Sequence, residues 1–197
     1  MAPKTSATGR SPAVRPGVTT HRRLPDRIRP GVRILFVGIN PGLRSAAVGH
    51  HFAGFSNRFW KLLWDARLVP RPLSYLDDVH LPDWGIGLTN IIARPSRGID
   101  ALDAAEYVAG VRRLTRVIRR YRPSIVAFLG VTMFRVIFPQ ATGRLQLGLQ
   151  RERLAGVRVM LLPNPSGRNA HYSYESMRRA YAGLGRWSSG KATRRRL

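Results

Sequence analysis

Short apolar runs bounded by glycine or proline recur along the chain, and they constrain the fold more than any other feature. They occupy residues 33–38, 85–92, 124–130 and 157–162. Runs of this length and composition are typical of strands buried on both faces of a sheet. Segments with apolar residues at helical spacing lie between or after these runs, at residues 57–68, 103–121, 131–138 and 174–184. Such alternation predicts an α/β fold, a three-layer α/β/α sandwich around a mainly parallel sheet of four or five strands.

The segment 103–121 is the clearest helix in the sequence. Asp103 can cap it, and Glu106 stands three residues later, the spacing of a capping box. One side carries an apolar stripe and the other side carries arginines at positions 112, 113, 116, 119 and 120. We interpret the arginine side as a solvated helix surface rather than a binding site.

Charge indicates the class of partner. The chain has 34 Lys and Arg against 10 Asp and Glu, a formal net charge of +24. A field of this sign attracts polyanions, and nucleic acid is the commonest partner of so basic a chain. Genomic base composition and binding to an anionic membrane surface are the alternative explanations. We predict a disordered basic arm at residues 1–30, a domain at 31–185 and a basic tail at 186–197.

The chain contains no cysteine. Disulfides, cysteine-based zinc sites and iron–sulfur clusters are therefore excluded. No apolar run reaches the roughly 18 residues that a membrane span needs, and no apolar leader precedes the domain. We expect a cytoplasmic protein, associated with the nucleoid, that binds no membrane.

Two loops repeat an Asn-Pro pair directly after a predicted strand. Asn40-Pro41 follows the first strand and Asn164-Pro165 follows the last. Proline fixes the backbone and holds the preceding asparagine extended, so each loop presents a polar side chain at the sheet edge. Either loop alone could be an ordinary turn. Because ligands gather beyond the carboxyl ends of parallel strands, two such loops favour one shared site. The spacing after Gly38 does not match a dinucleotide-binding loop.

Five motifs carry a resemblance to a known family. They are Gly38-Ile-Asn-Pro-Gly42, Gly49-His-His-Phe52, Asn57-Arg-Phe-Trp60, Gly87-Leu-Thr-Asn90 and Asn164-Pro-Ser-Gly167. In order and spacing they resemble the mismatch-specific uracil/thymine-DNA glycosylases, and the resemblance extends over residues 33–184. It implies the fold of uracil-DNA glycosylases and an enzyme that hydrolyses the N-glycosidic bond of a flipped-out base.

The resemblance also implies roles for the residues of the first two motifs. Asn40 would hold the attacking water, and the ring of Phe52 would stack on the extruded base, although a place in the core beside Phe55 and Phe59 is the alternative for Phe52. His51 would either hold the pocket or contact a phosphate. The base pocket would comprise Ile39, Gly42, Ser45, His51, Phe52 and Asn90.

The last motif would enter the duplex. Arg168 would act as a wedge that fills the hole left by the extruded base, although a phosphate contact is an alternative for it. Gly167 would let the backbone approach, and Asn169 could contact the orphaned guanine. The resemblance gives these DNA contacts as Asn164, Ser166, Gly167, Arg168 and Asn169.

Ser45 bears on substrate choice. The uracil-excising branch of the family has serine at this position and the thymine-excising branch has alanine, so the resemblance implies uracil opposite guanine as the main substrate. Thymine or ethenocytosine would be secondary substrates. We expect a monomer that acts on double-stranded DNA with mismatched or damaged bases and uses no cofactor and no metal. A non-catalytic protein that binds DNA lesions and a nucleotide-binding metabolic enzyme are the alternatives.

Overall fold

The computed structural model describes residues 23–188, and they form a five-stranded sheet with helices on both faces. The strand order is β2-β1-β3-β5-β4. All neighbours are parallel except β4 and β5, which form an antiparallel pair at one edge. The predicted α/β architecture is therefore confirmed. The strands are β1 Ile34–Gly38, β2 Ile86–Asn90, β3 Ile125–Leu129, β4 Gly148–Leu154 and β5 Val157–Leu162.

Alternate side chains of the buried strands supply two separate cores. Ile34 and Phe36 of β1 pack into one core, and Leu35 and Val37 pack into the other. This period of two is what a strand with both faces covered requires. The α-helices are α1 Leu43–Val48, α2 Phe59–Asp65, α3 Ala104–Tyr121, α4 Val131–Ile137, α5 Tyr174–Ala182 and α6 Gly185–Ser188, with 3-10 helices at Tyr75–Trp84 and Ile99–Ala101. Residues of α2 and α5 lie in the first core, and residues of α3 and α4 lie in the second.

The longest helix begins where its capping residues predict. Glu106 accepts a hydrogen bond from the Asp103 N–H at 3.0 Å, which satisfies one of the amide groups left unpaired at a helix start. The interpretation of its arginine side as solvated needs one correction. Arg113 is half-buried and forms an ion pair with Asp26, with Nη1 and Oδ2 2.7 Å apart.

Residues 23–30 contact the domain, although the sequence placed them in the basic arm. Leu24 is buried, and Arg27 pairs with Leu88 of β2 through two backbone hydrogen bonds of 2.9 and 2.8 Å. At the other end, residues 186–188 of the predicted tail belong to α6. Residues 1–22 and 189–197 lie outside the described part of the chain. Within residues 23–188, no helix has the length and apolar character needed to cross a bilayer.

Candidate active site

A cavity of about 310 Å³ opens at the carboxyl ends of the parallel strands. Gly38 of β1, Asn90 of β2 and Leu129 of β3 line it, and so does Asn164, which follows β5. The strand order reverses between β1 and β3, the switch point at which α/β sheets commonly bind their ligands. The fold therefore brings the ends of four strands to one site.

The two Asn-Pro loops meet in this cavity, as the sequence predicted. The lining includes every predicted site residue except Asn169: Ile39, Asn40, Gly42, Ser45, His51, Phe52, Asn90, Asn164, Ser166, Gly167 and Arg168. Asn169 acts within its own loop. Its Nδ2 donates to the carbonyl of Asn164 at 2.8 Å, and its Oδ1 accepts from the N–H of His171.

Hydrogen bonds fix the orientation of the Asn40 amide. Its Nδ2 donates to the Ser96 hydroxyl at 2.8 Å and to the Pro41 carbonyl at 3.1 Å. The Ser96 hydroxyl donates to the carbonyl of Gly98, so towards Asn40 it can only accept. The amide nitrogen is thereby held against the protein. The Asn40 Oδ1 accepts no hydrogen bond from residues 23–188, which leaves an acceptor for water on the cavity wall.

Phe52 has an unusual backbone conformation. Its φ is 53°, in the left-handed region that residues with a side chain rarely adopt. One face of its ring stacks on Phe59, with centroids 4.1 Å apart and planes 28° apart. The side chain also lines the cavity and is half-buried. Phe52 therefore joins the core to the cavity wall, and strain of this kind persists only where neighbouring contacts hold it.

His51 is one of the residues that hold the turn at Phe52 in place. It is 1% exposed, and its Nε2 donates to the carbonyl of Pro25 at 2.9 Å, since a carbonyl can only accept. Burial lowers the pKa of the His51 imidazole below its usual value of 6.5, which keeps the ring neutral. Of the two roles implied for His51, the buried ring fits the one of holding the pocket.

Asp78, which the sequence analysis missed, anchors the turn that contains His51 and Phe52. It is fully buried, and its Oδ2 accepts from the His51 N–H at 2.8 Å. Its Oδ1 lies 2.9 Å from the Nδ1 of His50 and 3.1 Å from the Nε of Arg27, the latter a charge contact without hydrogen-bond geometry. A buried carboxylate needs such partners to offset its desolvation. The turn that carries Phe52 is thus anchored at several points.

Gly38 leaves room for the polar wall of the cavity. A Cβ atom at this position would lie 2.4 Å from Oδ1 of Asn90 and 3.8 Å from a ring carbon of Phe52. Asn90 is itself 4% exposed and lines the cavity. The glycine that ends the first strand is therefore required by close approach, and not by its φ angle.

The loop after β5 is held by a hydrogen bond at its start and is exposed at its tip. Asn164 Oδ1 accepts from the Ser166 N–H at 2.9 Å, which closes a small turn. A Cβ on Gly167 would lie 2.4 Å from Ser56, so this loop packs directly on the loop before α2. Arg168 is exposed, and its Nη1 donates to the Arg97 carbonyl at 3.3 Å, from one side of the cavity to the other.

The lining is basic and contains no acid. Three arginines, Arg44, Arg97 and Arg168, contribute to it, and no carboxylate of residues 23–188 does. No group of three or more His, Asp or Glu in this part of the chain could hold a metal ion. The cavity therefore favours an anionic ligand, and its polar side chains carry amide, hydroxyl, guanidinium and imidazole groups.

Sequence reasoning missed three lining residues that matter to the geometry. Leu24 was assigned to the arm, and Ser96 and Arg44 carry no motif. Ser96 lies 56 residues from Asn40 in sequence, and the bond between them depends on how the β2–α3 loop folds back. The one available signal was Pro95, which restricts the backbone just before the serine.

One comparison bears on the family and a second bears on the fold. The family model for the uracil DNA glycosylase superfamily matches residues 25–185. In fold, the chain is similar to a solution NMR structure of a candidate uracil DNA glycosylase from Methanosarcina acetivorans. That match has a TM-score of 0.56 and 17% sequence identity, and it covers 82% of this chain and 94% of that one.

Proposed function

The chain belongs to the uracil DNA glycosylase superfamily, and from this premise we propose that it excises uracil mispaired with guanine in double-stranded DNA. As a DNA glycosylase it hydrolyses the N-glycosidic bond. The proposed reaction acts on a nucleotide extruded from the duplex, because the bond is out of reach inside the stack. The products are a free base and an abasic site, and the enzyme cleaves no strand itself.

The observation that carries the proposal is the oriented amide of Asn40. As the N-glycosidic bond breaks, the sugar becomes electron-poor and the base leaves as an anion, so a correctly placed water can attack without a strong base. The free Oδ1 of Asn40 can accept a hydrogen bond from that water. An amide does not take up a proton from the water, so that proton passes to the departing base anion or to bulk water. A site without a carboxylate is therefore suited to N-glycosidic bonds whose base leaves readily as an anion, and it spares normal nucleotides.

Phe52 and Asn90 are suited to bind the base itself. The Phe52 ring is backed by Phe59 and offers its remaining surface to the cavity. Stacking on an aromatic ring stabilises a bound base by roughly 1–3 kcal/mol. The buried Asn90 amide has both donors and acceptors, which can pair with a polar base edge. Backbone groups around Ile39 and Phe52 complete the proposed recognition.

The loop of residues 164–168 supports the mismatch-dependent part of the proposal. Arg168 is exposed at its tip, and Gly167 sits where the loop contacts Ser56. For Arg168 to enter a duplex, its single hydrogen bond to the Arg97 carbonyl must break. A wedge of this kind fills the space of the extruded base. The Asn169 amide is engaged within the loop, so a contact with guanine would also require rearrangement there.

Ser45 supports uracil rather than thymine as the main substrate. Its side chain lines the cavity and is buried, and its Oγ accepts from the Ala53 N–H at 3.0 Å. The hydroxyl is thus fixed close to the turn that carries Phe52. A fixed polar group there leaves less room for the methyl group of thymine than alanine would.

The test is a panel of labelled DNA substrates. The full chain is incubated with duplexes containing G·U, A·U or G·T and with single-stranded uracil DNA, and abasic sites are then cleaved with alkali. We expect the fastest single-turnover release from G·U, with G·T slower. Faster release from G·T would contradict the uracil preference, and equal rates on G·U and A·U would contradict mismatch specificity. Tight binding to G·U without any abasic site would favour the non-catalytic alternative.

A further inference from the structure

One aromatic ring at the rim of the cavity is almost fully exposed. The Phe55 side chain is 90% exposed, more than any other large hydrophobic residue of residues 23–188. Single exposed apolar residues are common on protein surfaces. Phe55 differs because Gly54 and Ser56, on either side of it, both line the cavity. Phe55 is therefore close enough to the cavity to contact a ligand that enters it.

A guanidinium group is stacked on this ring. The Cζ of Arg44 lies 3.7 Å from the centroid of Phe55. The Arg44 Nε donates to the Ala53 carbonyl at 2.7 Å, which ties the arginine to the loop backbone. Arg44 forms no ion pair with any carboxylate of residues 23–188. The rim thus carries an exposed aromatic ring with an uncompensated positive charge over one of its faces.

The loop that carries Phe55 lies against the loop proposed to enter DNA. The Arg58 N–H donates to the Pro165 carbonyl at 2.9 Å. Ser56 also packs closely on Gly167, because a Cβ atom added to Gly167 would lie 2.4 Å from the Ser56 side chain. Phe55 is consequently placed beside the path of a strand whose nucleotide occupies the cavity.

From this arrangement we infer a second nucleobase-binding site, in which Phe55 stacks on a base next to the extruded nucleotide and Arg44 contacts an adjacent phosphate. The inference rests on the proposed function, because it needs a nucleotide drawn into the cavity. Extrusion removes a stacking partner from each flanking base. Because the cation covers one face of the ring, the base would stack on the opposite face, and the guanidinium would contact the phosphate.

Binding and fluorescence measurements test this site. The DNA is a G·U duplex with 2-aminopurine immediately 5′ or 3′ of the uracil, and stacking quenches this probe. We expect Phe55→Ala to weaken binding by roughly tenfold. At saturating protein, the probe on one side should be brighter with Phe55→Ala than with the wild-type chain. Phe55→Tyr, which keeps the flat ring, should restore both values.

Two further variants sharpen the test. Phe55→Leu keeps an apolar side chain without a ring face and should behave like Phe55→Ala. Val108→Ala, at an exposed valine on α3 outside the cavity lining, should behave like the wild-type chain. Melting temperatures should be unchanged in all variants, because an exposed ring contributes little to folding.

Either of two results would overturn the site. One is wild-type binding and wild-type fluorescence for Phe55→Ala at both probe positions. The other is wild-type binding and wild-type fluorescence for Phe55→Leu, which would indicate a nonspecific apolar contact. Uracil release is measured on the same duplexes by alkali cleavage. If the wild-type chain released no uracil, the proposed enzymatic function would fail, while the stacking result would still be read from binding and fluorescence.

Discussion

Four side-chain amides, and no carboxylate of residues 23–188, are among the polar groups of this cavity. Asn40, Asn57, Asn90 and Asn164 all line it. An amide can be used in only one orientation at a time, so its neighbours decide what it presents to a ligand. At Asn40 the Ser96 hydroxyl and the Pro41 carbonyl accept from the nitrogen, and the oxygen is left for water. The proposed role of Asn40 therefore rests on the hydrogen bonds that join Gly98, Ser96 and Asn40.

Ser96 is therefore predicted to be a positioning residue. Ser96→Ala should slow single-turnover uracil release by up to about tenfold, since one neutral hydrogen bond contributes about 0.5–1.5 kcal/mol. Affinity for the G·U duplex should stay within a few-fold of the wild type. Ser96→Thr retains the hydroxyl and should recover much of the rate. A wild-type rate in Ser96→Ala would show that the amide is oriented without the serine.

His51 gives the domain a predicted sensitivity to acid. Burial holds the pKa of the folded-state imidazole below 6.5, so the unfolded chain takes up a proton that the folded chain does not. Stability is therefore present above about pH 6.5 and falls as the pH decreases below it. Urea unfolding at pH 7.5 and pH 5.5 should show a smaller stability difference for His51→Gln than for the wild-type chain. An unchanged difference would assign the acid sensitivity to other groups.

At the scale of elements, the apolar strands were predictable, and the antiparallel edge strand β4 was not. β1, β2, β3 and β5 are apolar runs, because both of their faces are covered. β4 has the sequence GLQRERL with one face half-buried and the other exposed, so its pattern resembles a polar loop.

The turn into β5 hid the edge hairpin further. Ala155 and Gly156 both have positive φ, 50° and 81°, and alanine stands where asparagine usually signals such a turn. The predicted strands were sufficient to place both Asn-Pro loops at one edge. The hydrogen bonds between Asn40, Ser96 and Gly98 depend on loop conformations that no periodicity encodes.

The segment 23–30 is an element that the sequence assigned to the wrong part of the chain. Its composition is basic and proline-rich, and the contacts that fix it are distant in sequence. Leu24 lines the cavity, the Pro25 carbonyl accepts from His51, and Asp26 accepts from Arg113 and Thr89. Each partner lies more than 20 residues away, beyond the reach of a local pattern.

Two truncations test this element. A chain that begins at residue 23 should unfold with nearly the same free energy as the full chain. A chain that begins at residue 31 should lose about 2 kcal/mol or more, because burial of one leucine alone contributes about 1.5–3 kcal/mol. It should also release uracil more slowly, since Leu24 and the support of His51 are removed. Equal unfolding free energies for the two truncations would contradict the packing described here.

At the scale of the whole molecule, charge is spread over the domain and both ends. Residues 1–22 and 189–197 carry eight of the 34 Lys and Arg and none of the acids. The net charge of +24 therefore leaves +16 on residues 23–188 after those eight are removed. The domain alone is basic enough to bind DNA, and we propose that the ends strengthen binding without contributing to the chemistry.

Salt dependence separates these contributions. A variant limited to residues 23–188 should bind G·U duplexes with a shallower dependence of affinity on salt. The slope of log K against log salt is negative, and its magnitude decreases by about 0.9 for every phosphate that the shortened chain no longer neutralises. Uracil release at saturating protein should remain unchanged. A slope equal to that of the full chain would show that the terminal residues do not contact DNA.

The most direct test of the account is single-turnover release of uracil from a G·U duplex by Asn40→Ala. We expect the rate to fall on the order of 10²-fold or more, because the attacking water loses its position, while affinity for the duplex stays within a few-fold of the wild type. Gln140→Ala, which removes an exposed side-chain amide outside the cavity lining, is the matched control and should act like the wild type. Release by Asn40→Ala within a few-fold of the wild-type rate would contradict the role assigned to this amide.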